Sequence, residues 1–107
     1  MTNQVKISGV LVNKQPIRYT PAGIPLLSFA LQHQSEQIEA GMRRQVLCEL
    51  MVVALGNLAL EIDKISEASQ VIASGFLAKR SLKSSQLVLH LNKIEYWKGL
   101  DDGKRYV

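Results

Sequence analysis

Gln70-Val71-Ile72-Ala73-Ser74-Gly75-Phe76-Leu77-Ala78, then Lys79-Arg80-Ser81-Leu82-Lys83-Ser84-Ser85, then Gln86-Leu87-Val88-Leu89-His90-Leu91 decides the reading of this chain: two apolar, strand-like runs flank a loop of three cations and three serines with no acid. Lys and Arg displace the counterions of a phosphate backbone, and hydroxyls bond phosphate oxygens. The loop therefore points towards nucleic acid, and the flanking runs place it between two antiparallel strands.

Working outward, more strands appear. Val5, Ile7, Gly9 and Leu11 alternate with Lys6, Ser8 and Val10, a period of two. Pro16 and the run Thr20-Pro21-Ala22-Gly23-Ile24-Pro25 break that pattern with turn chemistry. Leu27, Phe29 and Leu31 then share one face of a second strand. His33 to Gly41 is polar and reads as the mobile tip of a long hairpin, with Gly41 at its turn. A third strand covers Arg44 to Leu55, with Val46, Cys48, Leu50 and Val52 on one face and Leu47, Glu49, Met51 and Val53 on the other. Both faces become apolar towards its end, so either protein covers both or one meets a partner subunit. Leu58 to Ile65 has the spacing of a short helix, with Leu58, Ile62 and Ile65 on one stripe. The fourth strand is Gln70 to Ala78, and the fifth is Gln86 to about Tyr96.

Five strands with a short helix or turn between the third and fourth match an all-β OB-fold, a five-stranded Greek-key barrel. Other small barrels share that pattern. Gly9 and Gly75 interrupt strands where a bulge or a barrel corner is expected. OB-folds bind oligonucleotides on the face of strands two and three and with the loops joining strands one to two and four to five. The basic loop is the four-to-five loop. The domain is expected over residues 1–97, with a flexible tail over 98–107.

Bulk composition bounds the function. With 107 residues the chain suffices for one core, and 47% apolar content excludes a disordered tail. A net charge of +4 favours polyanions without demanding one. A single cysteine, Cys48, excludes an internal disulfide and fits a reducing, cytoplasmic setting. No apolar run approaches a membrane span, and the N-terminus lacks the form of a signal peptide.

Met1-Thr2-Asn3, the turn over 20–25 followed by Phe29, Glu39-Ala40-Gly41, Arg44-Gln45, Cys48, Gly75-Phe76, Val88-Leu89-His90 and Ile94-Glu95 resemble, in order and spacing, the primosomal replication protein N (PriB) family over roughly residues 1–96. Its wider relatives are the bacterial single-stranded-DNA-binding proteins. The resemblance implies an OB-fold homodimer that binds single-stranded DNA in the replication-restart primosome. It implies stimulation of the PriA helicase, contact with DnaT, and help in reloading the replication machinery at stalled forks. It also implies aromatic residues at the positions of Met42 and Leu47 and a basic residue at that of Gln34, and the chain departs at all three. A base–aromatic stack is worth about 1–3 kcal/mol. Without two of them, affinity is expected to lean on cations and on salt. The loop from Lys79 is also somewhat shorter than in those members.

The candidate nucleic-acid-binding residues are Lys14, Arg18, Tyr19, Arg44, Lys79, Arg80 and Lys83. Arg44, beside Arg43, either meets phosphate or faces Glu36 or Glu39. Tyr19 either stacks on a base or anchors its loop; Trp97 either stacks or packs at a barrel end or subunit interface. Phe29 and Phe76 read as core or interface residues, and Cys48 as a small buried hydrophobe. The acids Glu61, Asp63 and Glu67 read as a solvated face that could meet a basic partner. His33 and His90 stand apart, with no ligand spacing, so no metal is expected. No cofactor loop or catalytic constellation is apparent, and no enzyme is expected. The competing readings are a primosomal adaptor with weak DNA binding and a generic RNA-binding barrel.

Overall fold

The computed structural model describes residues 1–97 and the backbone of Arg105–Tyr106. Its strands are β1 (Val5–Val12), β2 (Arg18–Tyr19), β3 (Pro25–Glu39), β4 (Met42–Leu55), β5 (Gln70–Lys79), β6 (Leu87–Trp97) and β7 (Arg105–Tyr106), with one helix, α1 (Asn57–Asp63). The five long strands are those expected from the alternation. Two two-residue strands are added, β2 against the start of β3 and β7 against Tyr96 and Trp97. Of the expected tail, residues 98–104 and 107 lie outside the described residues.

The strands run in the order β1-β5-β6-β4-β3, and β1 pairs again with β3, which closes an OB-fold barrel. Residues at alternate positions fill its centre: Leu11 of β1, Leu27, Phe29 and Leu31 of β3, Val52 of β4, Val71 of β5, and Leu89 and Ile94 of β6. Phe29 is core, as expected. Ala59 and Ile62 of α1, with Ile65 just beyond it, plug the barrel. Leu58, placed on the same stripe in the sequence, is only half-buried against that core.

The two strand glycines are where backbones crowd. A Cβ on Gly9 would collide with the Gln32 carbonyl, at the point where β1 leaves β5 for β3. A Cβ on Gly75 would strike the His90 carbonyl, beside a register shift that places Ser74 against Lys93 and Gly75 against Leu91. A corner and a bulge are thus both marked by glycine.

The hairpin tip departs from expectation. His33–Glu39 is not a mobile loop but paired strand, in register with Met42–Cys48 down to Glu39 opposite Met42. The turn is Ala40-Gly41, with φ of 52° and 79°. Two successive positive φ values match the twist of the flanking strands. The polar composition reflects solvent on both faces, not the absence of a ladder. No helix of the described residues is long and apolar enough to cross a membrane.

Gly75→Ala should lower stability by about 1–3 kcal/mol, because a backbone carbonyl cannot step aside as a side chain does. Gly41→Ala, with open space around it, should cost only the backbone conformation, about 1 kcal/mol. Urea midpoints compare the two; a wild-type midpoint for Gly75→Ala would contradict the collision.

Candidate nucleic-acid interface

The basic loop is built by the β5–β6 hairpin. Its neck is tied where the Arg80 N–H donates to the Gln86 carbonyl at 2.9 Å. The Gln86 N–H donates to Ser84 Oγ at 3.0 Å, so that hydroxyl shapes the loop. Lys79, Arg80 and Lys83 are exposed, and no carboxylate ion-pairs with them among the described residues. Arg80 Nη1 donates to Gln86 Oε1 at 3.3 Å, a neutral partner that leaves its charge uncompensated. Leu82, 94% exposed, is an apolar side chain among these cations.

Register locates the loop. β6 runs parallel to β4, with Val52 opposite Leu89 and Val53 opposite His90. Counting back, the loop emerges level with the outer half of β4, beyond Leu50. That half carries Leu47 and Met42, 72% and 71% exposed. It also carries the two hairpin arginines. Arg44 Nη1 lies 2.6 Å from Glu39 Oε1, and Arg43 Nε lies 3.8 Å from Glu36 Oε1. Both pairs are solvent-exposed and weak, so a phosphate can compete for either arginine.

The loop between β1 and β3 divides into two functions. Lys14 Nζ donates to the carbonyls of Asp63 and Ile65 at 2.8 and 2.6 Å. It satisfies orphan carbonyls at the end of α1, and its own N–H donates to Glu67 Oε1 at 2.7 Å. Its ammonium is thus engaged in the fold. Arg18 and Tyr19 form β2, exposed, with Tyr19 65% accessible. Arg18 pairs with Leu26, which faces Leu55 at the far end of β4. That is about 17 Å along the strand from the level of the basic loop. The expected residues therefore form an unpaired loop cluster, a paired arginine at the hairpin tip, and a remote Arg18–Tyr19 pair.

Between the hairpin and the β1–β5 wall lies an open cleft of about 630 Å³. Leu47 and Trp97 stand on its walls with Gln32, Gln34, Gln70 and Glu49. His33 Nδ1 donates to the Ser8 carbonyl at 2.7 Å across it, and Nε2 meets Ser35 Oγ at 2.8 Å. Cys48 is exposed here rather than buried, because the hairpin has left the barrel by that point. Among the described residues no cluster of His, Cys, Asp or Glu could hold a metal ion.

Phe76 is not a core residue. It points outward, 39% exposed, and stacks on His90 with ring centroids 5.1 Å apart and 8° between planes. Sequence reasoning missed this pair. Phe76 stands three residues before Lys79 and His90 three after Leu87, the mirrored spacing that a hairpin turns into a direct cross-strand pair.

Residues 3–93 match the family model described as "Another single-strand binding protein family". The chain is 43% identical over 89 residues, 83% of this chain and 82% of the relative, to replication restart protein PriB of Nitrosomonas europaea. The structure of PriB from Ralstonia solanacearum superposes with a TM-score of 0.81 at 30% identity, covering 90% of this chain and 98% of that one. The single-stranded DNA binding protein from Thermus aquaticus superposes with a TM-score of 0.75 at 25% identity, covering 92% of this chain and 52% of that one. On fold, sequence and coverage together, the chain belongs to the replication restart protein PriB family, within the wider single-strand binding proteins.

Proposed function

We propose that this protein binds single-stranded DNA as an accessory of replication restart, with phosphate contacts centred on Lys79, Arg80 and Lys83. The observation that carries the reading is their concentration on one loop, exposed and without acidic partners among the described residues, level with the outer half of β4. Arg44 joins them by exchanging Glu39 for phosphate, and Arg18 with Tyr19 extends the track towards the start of β3. Lys14 supports the track by fixing its loop to α1 rather than by contacting DNA. In this reading the protein works in the cytoplasm, stimulates the PriA helicase, contacts DnaT and helps reload the replication machinery; no catalysis is assigned to it.

It acts as a homodimer. β1 is paired with β3 only from Val10 to Val12, so its edge over Val5–Gly9 has no strand beside it among the described residues. Such an edge favours pairing with another strand, here that of a second copy. Static light scattering at tens of micromolar should give twice the 11.9 kDa chain mass. A monomer would refute the dimer and leave the DNA site standing.

A second reading has its own support. With Lys14 engaged and Arg43 and Arg44 facing carboxylates, much of the positive charge is already spoken for. An adaptor that binds DNA weakly and acts through proteins fits that balance. Fluorescence anisotropy with labelled oligo-dT, at several salt concentrations, separates the two. Five phosphate contacts, from Arg18, Arg44, Lys79, Arg80 and Lys83, would give a log–log salt slope of roughly −3.5. Changing Lys79, Arg80 and Lys83 together to Glu should nearly abolish binding and PriA stimulation while thermal unfolding stays cooperative. Unchanged affinity would remove the loop from the site. Stimulation that survives lost DNA binding would favour the adaptor.

A further inference from the structure

Beyond the loop, the outer face of the β1–β5–β6 sheet carries a pattern the cation cluster does not explain. Phe76 and His90 stack there as a direct cross-strand pair. One row along, Lys6, Ser74 and Lys93 lie side by side across the three strands. Two residues per row on the same face make that step about 7 Å, and Lys79 lies about 10 Å from Phe76 in the other direction. Two lysines and a serine thus flank the ring pair on one side, and the basic loop flanks it on the other. Glu95 is a nearby acid, 3.6 Å from Lys93 Nζ, while no carboxylate ion-pairs with Lys6 among the described residues.

We propose that this face is a second segment of the DNA track, on which one base of a single strand stacks against Phe76 while its phosphates run from the basic loop towards Lys6. The proposal deepens the DNA-binding reading and rests on it. Charge selects the occupant: an aromatic face set between clusters of lysine fits a polyanion with flat, apolar bases, the combination that sequence-tolerant single-strand binding requires. The residue is 39% exposed, which gives a base access to the ring from one side. On the other it is covered by His90, behind which lies Val53 of β4. On the free side the ladder to β1 ends at Val5 opposite Gly75, and the next residue, Gln4, is exposed. Asn3 then fixes the β5 edge, its side chain bonding both backbone groups of Leu77 at 2.8 and 2.9 Å. These two bonds tie the N-terminal segment to β5 beside Phe76.

The experiment uses Phe76→Leu and Phe76→Tyr in the full chain, titrated with oligo-dT across a salt series. Stacking is insensitive to salt, whereas cation contacts set the slope. Phe76→Leu should weaken binding about tenfold at every salt concentration with the slope unchanged, and Phe76→Tyr should restore it. An oligonucleotide carrying 2-aminopurine should show fluorescence quenching on binding that is lost in Phe76→Leu. Lys6→Glu should instead flatten the slope by about 0.7 or more. Wild-type binding that Phe76→Leu leaves unchanged overturns the platform alone. Absence of binding by the wild type overturns the DNA-binding reading and the platform with it. A Phe76→Leu protein that loses self-association but keeps its DNA affinity assigns the face to a second copy and overturns the proposal.

Discussion

Barrel closure depends on β1 serving two partners in succession. It pairs with β5 up to Val10 and with β3 from Val10 to Val12, and it changes allegiance beside Gly9. A side chain at Gly9 would press on the Gln32 carbonyl, so the crossing is available to glycine and little else. Because β1 releases β3 at Gln32, the β3–β4 hairpin runs on alone to its turn at Ala40-Gly41. The cleft, the exposed thiol of Cys48 and the open β1 edge all follow from that release. The exposed geometry of the hairpin is thus a consequence of how the core is closed.

Charge is distributed in two ways on this scaffold. On the hairpin each arginine has a carboxylate beside it, so the tip is balanced and its cations are reserved. On the β5–β6 loop no carboxylate among the described residues offsets the cations, and the loop is shaped by its own backbone and by Ser84. An incoming polyanion meets the unbalanced loop first, since its field is not cancelled locally. Contact with Arg44 then requires breaking an exposed ion pair, which costs little in water. In the proposed site this difference would set the order of engagement, loop before hairpin.

What could be read from the sequence was whatever burial writes into a period of two. Leu11, Leu27, Phe29, Leu31, Val52 and Val71 all point inward as their alternation requires. Gly9 and Gly75 were legible because a strand interior tolerates glycine only where backbones crowd. The segment from His33 to Glu39 was not, because a hairpin with water on both faces has no apolar stripe to reveal its register. Cys48 was misjudged for the same reason: it continues the inward alternation past the point where there is an inside. Lys14 read as a candidate nucleic-acid contact, and its engagement with Asp63 and Ile65 depends on a helix end some fifty residues away in the chain. Long-range polar ties of this kind leave no local pattern.

The same limit bears on the aromatic residues. Read one at a time, Phe76 is an apolar residue in a strand and an obvious candidate for the core. The alternation along β5 changes its meaning: Val71, Ala73 and Gly75 face inward without a break, and the extra residue of the bulge lies on β6. Leu77 then packs towards the core and Phe76 is left outside, where His90 alone covers one ring face. A single half-exposed aromatic is ordinary on a protein surface, but the cations around this one restrict what can cover it. Membranes and acidic proteins also attract lysine, but neither combines charge with flat rings in the way that would match Phe76 beside Lys6 and Lys93 on one sheet face. A single strand of nucleic acid does. The unbroken alternation of β5 therefore leaves a core-type residue on the outer face, along which the proposed track runs.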